Sequence, residues 1–221
     1  MNNIIQRKNY VEEIDDFNQS YYANCRDTAN RIYTIGHSSH EIEKFIQLLK
    51  GHDITAVYDV RSIPYSKYAP QFNKASIKQS LLHAGIEYVY LGKELGPFSK
   101  DPKCCVGGIV QYKLLAQTKA FEEGLSKIKK GVNIHKLALM CAEKEPAECH
   151  RMILVCRHLR NDFDISHIMA DGSLEDIRVT ERRLMQMLKI PDMMTFDEFE
   201  DPVERAYEEM GRRNAEKHRN D

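Results

Sequence analysis

The chain has 221 residues, of which 42% are hydrophobic and 29% charged, so it can form one large globular domain and is not predominantly disordered. Its 32 Lys and Arg residues nearly balance 33 Asp and Glu residues, and a net charge of −1 excludes a generally basic nucleic-acid binder. No apolar run is long enough to span a membrane, and the polar N-terminus lacks the apolar region of a signal peptide. We therefore expect a cytoplasmic protein whose six cysteines are thiols.

Residues 1–30 are interpreted as an N-terminal extension, with one short helix near residues 10–22. Five short apolar runs, each ending close to a turn, then predict β-strands over residues 31–35, 55–60, 86–91, 136–141 and 163–169. Helical spacing of apolar residues predicts helices over residues 39–51, 76–84, 109–130 and 146–159, with Ser39 capping the first. Residues 92–108 predict a long loop of the kind that forms lids or binding loops.

Strands that alternate with helices predict an α/β fold. We expect a single Rossmann-like domain over residues 31–172, with about five mostly parallel strands and helices on both faces. Residues 173–221 are highly charged and predict a helical C-terminal extension that starts at Leu174 and is broken at Pro191.

Ligands of open parallel sheets bind at the carboxyl ends of the strands. In this sequence polar and reactive side chains follow every predicted strand: His37, Ser38, Asp59, Arg61, Lys93, Glu94, Cys141, Glu143, Cys149, His150, Arg151, His167 and Asp171. Their convergence predicts a functional site at this edge of the sheet.

The segment from Cys141 to Arg151 carries the strongest chemical signal. Cys141 leaves a buried strand and precedes a helix N-terminus, which predicts a lowered thiol pKa and a nucleophilic role. Glu143 and His150 are candidate general acids or bases, and Arg151 is a candidate anion-binding residue.

Several alternatives stay open for these cysteines. Cys141 continues an apolar strand, so it could equally be an inert core thiol. Cys149 and Cys156 lie on an apolar helical stripe, so Cys156 is expected in the core and Cys149 either in the core or in the site. Cys141, Cys149 and His150, with His37 as a further ligand, could instead hold a transition metal, although the chain has no Cys-x-x-Cys pair. Cys25, Cys104 and Cys105 receive no role.

The first two strand ends add further candidates. His37 could relay a proton, with Ser38 beside it, while Asp59 could act as a base and Arg61 could grip a ligand. Asp59 and Arg61 lie on the same side of an extended strand, so a simple ion pair is the alternative. Tyr65 and Lys67 are candidate substrate-binding residues, because interleaved aromatic and basic groups (with Tyr68 and Phe72) can bind nucleotides.

These motifs together resemble the family catalogued as domain of unknown function 488. The resemblance covers about residues 31–172 and rests on five segments, residues 34–38, 59–61 with Pro64 and Ser66, 91–92, 141–143 and 149–151. It implies a single α/β domain in a bacterial or archaeal cytoplasm and brings no established reaction. Lys93 departs from the family pattern, in which a second glycine follows Gly92.

The leading hypothesis is an enzyme, a hydrolase or transferase, that acts on an anionic substrate such as a nucleotide or nucleic-acid component. The alternative is a non-catalytic sensor that binds a nucleotide or a metal in the same pocket. A structural adaptor is a third class. The sequence does not identify a cofactor, beyond the transition metal considered above, and no membrane partner is expected.

Overall fold

The computed structural model describes residues 30–99, 101–191 and 201–217; the short helix expected near residues 10–22 lies outside them. The strands are β1 (Arg31–Gly36), β2 (Ala56–Asp59), β3 (Glu87–Tyr90), β4 (Cys105–Val106), β5 (Ile109–Val110), β6 (Leu137–Cys141), β7 (Asp164–Ile168) and β8 (Leu174–Asp176). The α-helices are α1 (Ile42–Gly51), α2 (Lys74–His83), α3 (Gly92–Leu95), α4 (Tyr112–Leu115), α5 (Lys119–Val132), α6 (Ile177–Leu188) and α7 (Pro202–Lys217).

Six strands form the main sheet in the order β3-β2-β6-β1-β7-β8. The first five pair in parallel, and β8 pairs antiparallel with β7 at one edge. The parallel register places Gly36 beside Cys141 and Asp59 beside Met140, so these strands end at the same level. The central strand β6 is wholly buried, as expected for a strand covered on both faces.

Helices cover both faces of this sheet, which confirms the predicted mixed α/β architecture and the helical C-terminal extension. One layer is built by α1 and α2, whose apolar residues include Phe45 and Leu81. The other layer contains α5, α6, α7 and the turns around residues 146–158, and Phe121, Leu184 and Tyr207 lie in its core. The described part of the chain has no helix that is both long and apolar enough to cross a bilayer.

Several local predictions were wrong. The long helix expected over residues 109–130 is divided into β5, α4 and α5, and the loop 92–108 contains α3, a 3-10 turn and a hairpin strand. Glu41 occupies the N-cap of α1 in place of Ser39. Residues 174–176 form β8 before α6 begins, because Leu174–Asp176 complete the sheet beside β7.

The segment after Pro146 is also unlike the regular helix that was expected. It consists of a 3-10 turn at Pro146–Glu148, a π-helical turn at Arg151–Val155 and a second 3-10 turn at Cys156–His158. The α-helical stripe expected there is absent, because every residue from Cys149 to Cys156 is buried. Cys156 lies in the core, as expected.

Candidate metal centre

Four side chains meet where β6 ends, and we call them the sulfur cluster: Cys141, Glu143, Cys149 and His150. Cys141 is the last residue of β6, Glu143 lies in the turn that follows, and the other two begin the helical segment after Pro146. One ligand atom from each residue lies within 4.8 Å of those from the other three. Residues that are close in sequence therefore also bring atoms of the kinds that bind metals close together in space.

Both thiols converge on one carboxylate oxygen. Cys141 Sγ donates to Glu143 Oε2 at 2.8 Å, and Cys149 Sγ donates to the same oxygen at 3.0 Å. Cys141, Cys149 and His150 are buried, whereas Glu143 retains partial exposure. Glu143 is thus the most exposed of the four residues of the sulfur cluster.

The imidazole of His150 is oriented by a backbone carbonyl. Its Nε2 donates to the Val60 oxygen at 3.0 Å, because a carbonyl can only accept, and its Nδ1 lies 3.4 Å from Cys141 Sγ. A metal-binding histidine is commonly held in this way, with one ring nitrogen fixed by a backbone acceptor and the other facing the metal.

Burial opposes ionisation of both thiols. It raises the pKa of Cys141 and raises that of Cys149 still more clearly, despite the nearby cation of Arg151. The predicted lowering of the Cys141 pKa was therefore wrong, because the thiol lies inside the core and faces the Glu143 carboxylate. Burial would also raise the pKa of Glu143, but His150 and the two thiols outweigh it and hold that pKa at about 2.

Arg151 is fully buried beside the sulfur cluster, where it braces the main chain. Its Nη1 donates to the Glu143 carbonyl oxygen at 2.6 Å, its Nη2 to the Lys144 carbonyl at 3.4 Å and its Nε to Thr34 Oγ1 at 3.2 Å. Among the residues that the structure describes, no carboxylate forms an ion pair with this guanidinium. Its positive charge is nevertheless close to the two sulfur atoms and Glu143, which raise the pKa of Arg151 although burial opposes this.

The turn after β6 is shaped by close backbone packing. A Cβ atom at Gly36 would lie only 1.9 Å from the Glu143 carbonyl oxygen, so glycine permits this approach. The Ser38 amide donates to the Ala142 carbonyl at 2.9 Å, and Ser38 itself has a left-handed backbone with φ of 47°. The end of β1 thus fixes the position of the turn that carries Glu143.

A second group of polar side chains lies at the same edge, and we call it the arginine network: His37, Asp59, Arg61 and Tyr88. Arg61 binds Asp59 through two side-chain bonds, Nε to Oδ1 at 2.9 Å and Nη2 to Oδ2 at 2.7 Å. Tyr88 donates to Asp59 Oδ2 at 2.8 Å. Arg61 also donates to the Phe72 carbonyl at 2.9 Å and to His37 Nε2 at 3.0 Å, so the guanidinium bonds within the protein in several directions.

His37 is a neutral member of this network. Its Nδ1 donates to the Ser38 carbonyl at 2.9 Å, and its ring stacks on Phe72 with centroids 4.3 Å apart. Burial and the Arg61 cation lower the pKa of His37 to about 4. His37 lies outside the group of four donors in the sulfur cluster, although it was considered as a further metal ligand.

The candidate binding residues Tyr65 and Lys67 belong to neither group and lie on an exposed loop after β2. Tyr68 is also exposed, whereas Phe72 is buried in the core. The loop and the sulfur cluster share the same edge of the sheet, because the Val60 carbonyl that orients His150 immediately precedes Arg61.

Sequence reasoning gave no individual role to two residues that support these groups, although Thr34 lies in one of the segments that resemble the family. Tyr88 lies on β3 beside β2, and Thr34 on β1 joins Arg151 to His167 through contacts of 3.2 and 2.8 Å. The periodicity of β3 could have placed Tyr88 on the same face as Tyr90, whose strand position pairs with Asp59. The stacking of Phe72 on His37 has no comparable signal in the sequence.

A comparison with protein families matches residues 41–157 to the family described as Domain of unknown function DUF488. The chain belongs to this family. The match includes the sulfur cluster and most of the arginine network, and it confirms the resemblance that the motifs indicated. Searches of curated proteins and of solved structures find no match.

Proposed function

We propose that this protein binds one divalent transition metal, of the zinc type, through the sulfur cluster. The observation that carries the proposal is the placement of two thiols, an imidazole and a carboxylate with their ligand atoms within 4.8 Å of one another. Neighbouring ligand atoms of a tetrahedral zinc site are about 3.3–3.8 Å apart, given metal–ligand bonds of about 2.0–2.3 Å. The two sulfur–carboxylate pairs, at 2.8 and 3.0 Å, would therefore have to separate slightly, and any pair near the 4.8 Å limit would have to approach.

The local charges support a divalent ion. Two thiolates and the Glu143 carboxylate carry three negative charges, and buried Arg151 contributes one positive charge. A divalent cation would bring this sum to zero with His150 neutral, and buried sites strongly favour such neutrality. Sulfur and imidazole donors also favour zinc-type ions over calcium or magnesium.

Hydrogen bonds around the sulfur cluster support the same function. The Val60 carbonyl orients His150, and Arg151 holds the main-chain carbonyl of Glu143. The amide of Arg151 lies 3.4 Å from Cys149 Sγ, where it can stabilise a thiolate. Three of the four donors are thus held by backbone contacts beyond the cluster itself.

A second candidate function is hydrolysis at the same centre. Cys141, Cys149 and His150 would then be the metal ligands, and Glu143, which retains partial exposure, would move a proton of a bound water. Two cysteines and one histidine form an open catalytic site in some zinc enzymes, in which the metal lowers the pKa of its water. In that case Glu143 would be required for hydrolysis but not for metal binding.

An anionic substrate held by Arg61 and Arg151 has less support. Both guanidinium groups already donate to acceptors within the protein, Arg61 to Asp59 and Arg151 to the backbone of the turn. Either arginine would have to break buried hydrogen bonds before it could bind a phosphate. We therefore place the proposed activity at the sulfur cluster.

The test is elemental analysis of protein that is purified without chelators, followed by removal of the metal and titration with Zn²⁺ or Co²⁺. We expect one ion per chain and a sulfur-to-cobalt charge-transfer band in the Co²⁺ form. Cys141→Ser and Cys149→Ser should each lower the affinity at least 100-fold, because each removes a thiolate ligand.

Cys105→Ser is the matched control, since it removes a partly exposed thiol outside the sulfur cluster and should leave stoichiometry and affinity unchanged. Glu143→Gln separates the two candidate functions. A large loss of affinity identifies Glu143 as a ligand of a closed site, whereas retained affinity favours the hydrolytic site. Wild-type protein that binds neither ion with a thiolate signature contradicts both.

A further inference from the structure

The loop between β2 and α2 differs in charge from the rest of the molecule. The chain as a whole has a net charge of −1, but no acidic residue occurs between Asp59 and Glu87. Lys67, Lys74 and Lys78 lie in this interval. Lys67 lies in the loop itself, and Lys74 and Lys78 lie in α2. A polyanion would therefore meet only positively charged side chains along this segment, although it would not be attracted by the net charge of the protein.

The same loop exposes apolar and aromatic side chains. Tyr68 is 99% exposed, Tyr65 62% and Ile63 66%, and each is thus available to a partner. The Phe98 amide donates to Ser62 Oγ at 3.2 Å, which places another exposed ring beside the start of the loop. Aromatic rings beside lysines are the chemical combination that stacks bases and neutralises phosphates.

The loop is held in shape by its own hydrogen bonds. Ser66 Oγ accepts from the amides of Tyr68 and Ala69 at 3.1 and 3.2 Å, and Asn73 Oδ1 accepts from the Ser66 amide at 2.7 Å. The Lys74 amide donates to the Pro64 carbonyl at 2.9 Å, which closes the loop. The exposed rings are therefore presented on a preorganised turn, and less conformational entropy is lost on binding.

We propose that this loop binds single-stranded nucleic acid, with bases stacked on Tyr65 and Tyr68 and phosphates beside Lys67. The tyrosine rings would contact the bases and the lysine would contact the phosphates, and neither contact distinguishes ribose from deoxyribose. DNA and RNA strands should consequently bind with similar affinity. The proposal is independent of the sulfur cluster, although the loop leaves the sheet at the residue that follows the carbonyl bound by His150.

The test is fluorescence anisotropy with labelled oligothymidylate and oligouridylate of about 12 nucleotides, a length typical of such sites. We expect saturable binding that weakens with added salt, because each neutralised phosphate releases counterions. The Tyr65→Ala, Tyr68→Ala double variant should bind at least 10-fold more weakly, and replacement of both tyrosines by Phe should retain affinity.

Ile134→Ala is the control, because Ile134 is also highly exposed but precedes the N-terminal end of β6, whereas the loop follows the C-terminal end of β2. Thermal unfolding should be the same for the tyrosine variants and Ile134→Ala, since these three side chains are exposed. Cys141→Ser should retain oligonucleotide binding, which separates this proposal from metal binding. Absence of saturable binding, equal binding by the double alanine variant, or binding of an acidic peptide but neither oligonucleotide would overturn the proposal.

Discussion

The arginine network and the sulfur cluster lie at the same edge of the sheet and follow neighbouring strands, yet their bonding is opposite in kind. In the arginine network, the Arg61 guanidinium is matched by acceptors on Asp59, Phe72 and His37. In the sulfur cluster, two thiol donors share one carboxylate oxygen, and the Nδ1 atom of an imidazole faces a sulfur atom.

The bonding of the arginine network is that of a group that stabilises the fold, whereas the bonding of the sulfur cluster is that of a group that could bind a ligand. A network whose donors and acceptors are already paired gains little from an added ion. A cluster of electron-pair donors that crowd around one point gains much, because a cation can replace the shared protons. The presence of polar residues at strand ends is therefore not enough to identify a binding site. Whether their hydrogen bonds are already satisfied within the protein must be considered as well.

The largest effect should come from breaking the arginine network. Asp59→Ala leaves the Arg61 cation buried without its carboxylate, and we expect the free energy of unfolding to fall by about 3–5 kcal/mol. Chemical denaturation measures this loss. Lys129→Ala is the control, because its ion pair with Asp162 is partly exposed and should contribute less than about 1 kcal/mol. Equal losses in both variants would contradict a structural role for Asp59.

Gly36→Ala tests the sulfur cluster without changing a ligand. The added methyl group would collide with the Glu143 carbonyl and displace the turn. We expect a loss of stability of about 1–3 kcal/mol and metal affinity that is about 10-fold lower. Denaturation and metal titration measure the two effects. Gly51→Ala provides the comparison, since a Cβ atom there meets nothing within 4 Å; unchanged metal affinity in Gly36→Ala would show that the turn does not position Glu143.

A smaller effect should appear in the response to acid. Burial, with Arg151 and Arg183, lowers the pKa of His167 from 6.5 to about 3. As the pH falls below 6.5, the unfolded chain therefore takes up a proton that the native protein excludes, and stability is lost. His167→Gln should reduce the slope of unfolding free energy between pH 6 and 4 by up to about 1.4 kcal/mol per pH unit.

Denaturation at several pH values measures this slope. His83→Gln is the matched control, because it removes an exposed histidine and leaves every buried one in place. An identical slope in wild-type protein and His167→Gln would show that His167 does not limit acid stability. His37 in the arginine network has a pKa lowered to about 4, so part of the acid sensitivity should persist in either variant.

The strands of the parallel sheet could be predicted because their apolar runs are continuous and end at turns. Three of the four candidate ligands, Cys141, Cys149 and His150, could also be found, since they are close in sequence. Glu143 was expected only as a general acid or base, and His37, which was considered in its place, lies outside the group. The edge strand β8 was missed because Leu174–Asp176 is short and contains two acidic residues. The π-helical turn was missed because the apolar spacing of Cys149 and Cys156 fits a regular α-helix and does not reveal that the residues between them are buried as well.

The other features could not be predicted because they depend on contacts between segments that are distant in the sequence. The bond from Arg61 to His37 and the bond from Arg151 to Thr34 depend on the path of a long side chain between strands. The raised pKa of Cys141 likewise depends on the depth of its burial, which the motif alone does not give. Sequence spacing thus identified residues that could form a site, whereas their hydrogen bonds and pKa shifts became evident only from the fold.

The buried guanidinium of Arg151 also bears on discrimination among metal ions. With both thiols ionised, the surroundings carry two net negative charges, so copper(I) would leave one charge uncompensated unless a thiol kept its proton. A trivalent ion would leave an excess of positive charge in a region that water reaches poorly. In the proposed metal site, Arg151 would therefore make ion valence a criterion of selectivity, in addition to the preference of sulfur and nitrogen donors for particular metals.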